Sequence, residues 1–401
     1  MKNPVQTQNG SVLVLFAISI TMIFVITAIV MDLGYIVLTK SELQNAADAA
    51  ALAGVLELID EDALERTFNQ VDDISDARDV SQSYSRFNRA AFSNVALDRN
   101  DANTVEGGIV VGYIDNPNSQ SSAFETANLS RYNSVQVTAK RAPEINGTLD
   151  LLLGAFSGLT EISVQSTAIA SIEDRVIGFD VNGDDTLMML PFSIYVDAWD
   201  AVYDPNFVET ENCPILIEDK YSVHDGVVYK NCADGIPEIK LYPSNEDVCG
   251  LPSSPGNFGT IDLGQENNST DDLRRQIVDG ITAADLVSMG GMIMSDPDGD
   301  GIFTKWVDGD TGVSSSIRTP MQEIKGEPRL LPLHRDLVGT GDNAQYEICR
   351  FVGINVMDVK MTGALASRYI IVQPAQVLEP TAMIDPQAPH SNLIYAVSLT
   401  R

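Results

Sequence analysis

Basic residues are scarce in this chain. Its 401 residues include 25 Lys and Arg against 56 Asp and Glu, a net charge of −31. Such a surface repels nucleic acid and anionic headgroups, which argues against a phosphate-binding role. Histidine is scarcer still: His224, His334 and His390 stand far apart, at no spacing that gathers a metal or a catalytic pair. The four cysteines, Cys213, Cys232, Cys249 and Cys349, contain no C-x-x-C pair, so neither a zinc knuckle nor a thioredoxin-like site is suggested. Their even number fits one or two disulfides in an oxidising compartment, and free buried thiols fit as well. No G-x-S-x-G, H-E-x-x-H, Walker A or nicotinamide fingerprint occurs. Carboxylates are too abundant for any pair to mark an acid–base site, and solvated surface is their plain reading. These absences point away from an enzyme. No internal repeat is visible either.

One long hydrophobic run is present, and no second run of its length exists. Residues 11–31, "SVLVLFAISITMIFVITAIVM", are 21 residues without a charge. At about 1.5 Å per residue they match the thickness of a bilayer core, so they predict a transmembrane helix. A cleaved signal peptide would have a shorter apolar stretch followed by a small-x-small site. Here Asp32, Leu33, Gly34 and Tyr35 follow, which favours an uncleaved signal-anchor. Lys2 precedes the run, so the positive-inside rule leaves residues 1–10 in the cytoplasm and exports the chain after Asp32.

The helical pattern then continues through residues 32–60, rich in alanine and free of proline. Ala46, Ala50 and Gly54 fall at steps of four, as do Ala47 and Ala51. That is a small-xxx-small surface, which lets another backbone approach closely. It is a packing face for a partner helix or for the protein's own sheet, and the sequence leaves both open. High helix propensity alone would also produce an alanine run. Leu52, Val55, Leu56 and Ile59 form a larger apolar set turned toward the chain's own domain.

Residues 61–199 predict an exported α+β domain. A polar stretch near 69–103 reads as loop with helical pieces. "GGIVVGYID" (107–115), "YNSVQVTAKR" (132–141) and "EISVQSTAIASI" (161–172) read as strands, the last two by alternation. "GTLDLLLGAF" (147–156) reads as a short apolar helix. Residues 200–345 are loop-rich, carry three of the four cysteines, and predict helices near 270–281 and 283–289. Residues 346–401 return to strands, expected to pair with each other or with the first sheet. The expected fold class is α+β, mainly antiparallel, with the middle as an insertion.

One acidic segment has a metal-like spacing. "DPDGDGIF" places Asp296, Asp298 and Asp300 at i, i+2 and i+4, followed by Gly301, with the Ile302 carbonyl in reach as a further oxygen ligand. A loop of this kind suits Ca2+ in a structural role. It departs from a full EF-hand loop, because Val307 stands where a bidentate Glu is expected. A metal-free acidic turn is the alternative. "DVNGDD" (180–185) is a weaker relative, with Asp185 in place of the glycine.

The first 60 residues resemble the N-terminus of TadE/TadG-like Flp (tight adherence) pilus-assembly proteins. The resemblance lies in a small residue before the span, the Asp-x-Gly-x-hydrophobic step at Asp32–Ile36, and "LQNAADAAALAG" at Leu43–Gly54. It implies a non-enzymatic, single-pass inner-membrane protein with its bulk in the periplasm. The expected partners are inner-membrane lipid and other Tad/Flp envelope proteins, with a homo-oligomer left open and nucleic acid excluded by the charge. Many TadG-like members carry a von Willebrand A domain. Here Asn182 and Asp184 stand where that domain's D-x-S-x-S metal site has serines, so the site is not recognisable. A type IV prepilin would have Glu at the fifth position after its cleavage glycine; Leu15 holds that position after Gly10. The competing function is a calcium-dependent, membrane-tethered exported adhesin.

Overall fold

The computed structural model of the protein describes residues 9–59, 64, 71–119, 121–127, 132–154, 158–201, 216–217, 219–242, 259–264, 270–309, 317–340, 343–363, 368–391 and 393–400. The chain forms two compact units: one of residues 1–58, 71–171 and 398–401, the other of residues 59–70 and 172–397. The fold is a long N-terminal apolar helix followed by mixed α+β structure dominated by antiparallel sheet.

In the first unit, helix α1 runs unbroken from Asn9 to Leu56. Nothing in its sequence breaks it: no proline falls inside, and its polar half is alanine, leucine and glutamine. Helix α2, Val71–Phe87, lies where mostly loop is expected. Its buried face is Asp73, Ala77, Ser81 and Ser85, steps of four with no large apolar side chain. That face is helical in period but invisible to a search for large hydrophobics. α1 packs against α2 and against the Ser134–Arg141 strand.

The sheet of this unit is antiparallel. Ile109–Ile114 pairs with Ser134–Arg141, which pairs with Val164–Glu173. Val135, Val137 and Ala139 are buried at alternate positions, as the pleat requires. The polar segment between α2 and the sheet is folded by its asparagines. Asn100, at φ 55°, donates through Nδ2 to the carbonyls of Thr104 and Ile109, each at 2.8 Å.

The expected short helix at 147–156 is replaced at its start by a strand, while residues 155 and 156 lie outside the described residues. Leu149–Asp150 is a strand, paired with Glu161–Ile162 as a hairpin. Its tip is closed by the Leu151 amide donating to the Thr160 carbonyl at 2.9 Å and Gly158 donating to Gly154 at 2.9 Å. The leucines supplied an apolar run, but the hairpin pairing decides the backbone.

The second unit is built on a larger sheet. Its order is Ile194–Tyr195, Pro328–Val338, Gln345–Lys360, Tyr369–Pro374, Glu238–Tyr242 and Leu216–Ile217, with Lys305–Asp308 also paired to Gln345–Lys360. Ile194–Tyr195 joins in parallel; the other pairings are antiparallel. Of the C-terminal strands, Gln345–Lys360 and Tyr369–Pro374 pair with each other, whereas Ile394–Leu399 lies in the sheet of Val164–Glu173; both expected pairings occur. Side chains of the larger sheet enter two different cores. Leu331, Val352, Ile354 and Val356 pack with Leu273, Ile277 and Met321, whereas Leu330, Tyr346 and Phe351 pack with Phe179, Leu187 and Met189. Covering on both faces is why these strands read as continuous apolar runs rather than as alternation. Helices Thr270–Asp279 and Ala283–Ser288 form close to the expected positions, the second opened by a Thr282–Asp285 capping box.

Candidate functional site

The site of greatest interest is α1 itself. Its first half exposes apolar side chains on nearly every side, from Val12 to Met31. Among the described residues it is the one helix long and apolar enough to cross a membrane. The hydroxyls within the run are satisfied internally: Ser19, Thr21 and Thr27 each donate to the carbonyl four residues earlier, at 2.9, 2.9 and 2.8 Å. That is what a hydrocarbon environment demands of a polar side chain. The helix spans the membrane once, and the β-rich remainder lies outside it.

A buried stripe begins inside the span and runs up the helix: Ala28, Asp32, Thr39, Leu43, Ala46, Ala47, Ala50, Ala51, Gly54. Steps of three, four and seven, with the adjacent pairs Ala46–Ala47 and Ala50–Ala51 widening it, keep the stripe on one side. The rest of the first unit is bonded along this stripe. Asp32 accepts the Leu153 amide with both carboxylate oxygens, at 3.0 and 3.2 Å. Ser166 Oγ donates to the Lys40 carbonyl at 2.9 Å, and Gln44 Nε2 donates to the Thr167 carbonyl at 3.2 Å. Glu42 Oε2 accepts the Ala91 amide at 2.8 Å, fixing a turn in which Ala91 and Phe92 take φ 46° and 68°. Such left-handed residues without glycine are held by the contacts around them.

The small residues have a definite neighbour. Ser81 Oγ of α2 donates to the Ala50 carbonyl at 3.0 Å. A methyl group on Gly54 would lie 2.9 Å from the Ala77 carbonyl and closer still to Ser81 Oγ. Of the two alternatives left open by the sequence, the chain's own structure covers the face: α2 and the sheet pack where a partner helix could have docked. Ala46, Ala47, Ala50 and Ala51 are fully buried there. Ser81 escaped the sequence reading because a serine among serines and aspartates carries no packing signal. The steps of four from Asp73 to Ser85 were the pattern that could have found it.

The acidic loop of the second unit is a turn held by its own first residue. Asp296 accepts the amides of Gly299, Asp300 and Gly301 at 2.8, 3.2 and 2.9 Å. These bonds, that of Gly301 foremost, hold its carboxyl below the usual carboxylate range. Asp300 accepts the Ile302 amide at 2.9 Å. Among the described residues no group of three His, Cys, Asp or Glu is placed to hold a metal. Asp296, Asp298, Asp300 and Ile302 instead line a groove of about 450 Å³ with Trp306 and Glu347. The calcium reading is carried by spacing alone.

Two further features were not read from the sequence. Ser193 Oγ lies 2.8 Å from His334 Nδ1, both buried in the second unit. Burial pushes His334 down to about 3, and the Tyr195 and Tyr346 rings pack edge-on against it. This neutral imidazole is packed in the core of the second unit. Glu238, also fully buried, accepts the amides of Lys220 and Tyr221, each at 2.9 Å. Burial still pushes its carboxyl up to about 7. Of the cysteines, Cys232 is exposed and Cys349 half-buried, both free thiols, and Cys213 and Cys249 lie outside the described residues.

Residues 10–57 match the family model described as Flp pilus-assembly TadE/G-like. The matched segment is α1 almost end to end. No curated protein and no solved structure matches the chain.

Proposed function

We propose that this protein is a non-enzymatic component of a Tad/Flp pilus-assembly system, anchored in the inner membrane with its bulk in the periplasm. The observation that carries the reading is the coincidence of the matched segment with α1. That helix both crosses the bilayer and forms the spine of the first unit, so the family-like segment is a structural element rather than an isolated signal. Its small face is occupied by α2 and the sheet. Contacts with other assembly proteins therefore fall to the lipid-facing side of the span and to the exposed surface of the extramembranous part. The large acidic excess keeps that surface self-repelling and soluble, which suits selective rather than indiscriminate association.

The test is genetic. Deleting the gene in its native host should abolish surface fibres, and the full-length gene should restore them. A version keeping the extramembranous part but carrying an unrelated transmembrane helix in place of residues 11–31 separates anchoring from specific contact within the bilayer. Normal piliation in the deletion strain would overturn the proposal.

A further inference from the structure

Three bonds give the first unit a direction along α1. Thr167 is bonded opposite Gln44, Ser166 opposite Lys40, and Leu153 opposite Asp32. From Gln44 back to Asp32 is twelve residues, about 18 Å toward the membrane. The hairpin of Leu149–Asp150 and Glu161–Ile162 therefore hangs down the helix, with its tip beside Asp32. Of the described residues near that tip, two are exposed leucines, Leu152 at 63% and Leu159 at 49%.

The depth of Asp32 follows from the helix. Exposed apolar side chains extend along α1 from Val12 through Leu33, Val37 and Leu38, and the first exposed charge after the span is Lys40. This band is about 40 Å long, more than the ~30 Å of a bilayer core. A core that starts at Val12 ends near Asp32. A core shifted toward Leu38, or a tilted helix that fits the whole band, puts Asp32 deeper. In each case the hairpin tip reaches the boundary between headgroups and acyl chains. Asp32 itself is only 6% exposed, and Ala28, one turn further into the span, is 3% exposed. A carboxylate facing lipid at this level would be costly.

We propose that the tip of the 149–162 hairpin is a second membrane contact, with Leu152 and Leu159 inserted among the lipids of the leaflet on the domain's side and the Leu153 amide capping Asp32 at the lipid boundary. The occupant of this apolar surface is lipid because the surface is continuous with the lipid-facing band of α1. The tip has two ties, its hydrogen bond to the span and its leucines in the bilayer. It fixes the first unit at one height and one rotation about the helix. Interfacial insertion of this kind buries side chains ~5–10 Å into the headgroup–acyl boundary.

The experiment uses the full chain in vesicles of phosphatidylcholine and phosphatidylglycerol, with and without lipids brominated on the acyl chain. Leu152→Trp and Leu159→Trp are read as added emission over the native Trp199 and Trp306. Phe92→Trp is the control. It is an exposed aromatic next to Ala91, which is bonded to Glu42, about 15 Å further from the membrane than Asp32. Bromine should quench the added emission of the two hairpin variants and leave that of Phe92→Trp unchanged. Equal quenching of hairpin and control variants overturns the proposal. So does blue-shifted but unquenched emission, which would mean that a second copy of the chain covers the tip.

Discussion

Replacing Gly54 by alanine gives a change whose sign depends on what lies against the small face. Gly54 is helical, and alanine in a helix interior is favoured over glycine by about 1 kcal/mol. If the face were bare in the isolated chain, Gly54→Ala would stabilise it. In the structure the new methyl meets the Ala77 carbonyl at 2.9 Å, with Ser81 Oγ closer and Ser81 Cβ at 3.4 Å. Backbone on one side cannot rotate away, so α2 must move, and overpacking of this kind costs about 1–3 kcal/mol. The movement also stretches the 3.0 Å bond from Ser81 to the Ala50 carbonyl, which contributes about 1 kcal/mol. The expected net change is a loss of about 1–3 kcal/mol. For a unit of this size that is ~2–4 °C in Tm for each kcal/mol. Ser81→Ala alone should cost about 1 kcal/mol, and the double variant should cost less than the sum, because the hydroxyl that clashes is gone. Urea and thermal unfolding of the detergent-solubilised full chain, followed by the helical circular dichroism signal, measures all three. A Gly54→Ala protein as stable as the parent, or more stable, would refute the docking of α2 on this face.

Two other outcomes follow from the second unit. Glu238, with its carboxyl raised from 4.5 to about 7, adds stability at low pH that is lost as pH rises through 7. His334, lowered from 6.5 to about 3, adds stability above 6.5 that is lost as pH falls. Between pH 4.5 and 6.5 the native state holds the Glu238 proton while the unfolded state holds the His334 proton, so the slopes oppose and stability is flat. Glu238→Gln should unmask a fall of up to about 1.4 kcal/mol per pH unit toward acid, measured by urea titration across that range. Parallel curves for variant and parent would contradict the assignment. Separately, Asp296→Ala should lower Tm equally in calcium and in EGTA, because the carboxylate holds the loop through amides. A Tm that rises with calcium in the parent but not in the variant would establish the ion instead.

Much of the architecture was legible because it depends on large apolar side chains. The uncharged run at 11–31 and its alanine-rich continuation specify α1, and alternation marks Ser134–Arg141 and Val164–Glu173. Helix α2 was legible only as helical pieces in a polar stretch: Asp73, Ala77, Ser81 and Ser85 bury a face without a large apolar side chain, and Gly54, which meets Ala77 and Ser81, lies on another helix. Propensity and hydrophobic period carry no information about such a match. The 149–162 hairpin was misread for the opposite reason. Its leucines resemble a core helix, but the backbone around them is set by the pairing of Leu149–Asp150 with Glu161–Ile162. At the anchor, Ala46, Ala50 and Gly54, read from the sequence as a packing face, are buried, and which neighbour covers them has no local signature. The Ser193–His334 contact joins residues 141 positions apart and has no local signature.

The unbroken course of α1 from Asn9 to Leu56 has a mechanical consequence. Many membrane-tethered domains hang from a pliable linker that lets them wander and absorbs tension. Here the first unit is bonded to the same rod that stands in the lipid: its sheet at Lys40 and Gln44, the 149–162 hairpin at Asp32, the turn at Ala91 at Glu42, and α2 at Ala50. A pull on that sheet is delivered to the bilayer as traction on the span. A twist of the span turns the sheet with it, with no slack between them.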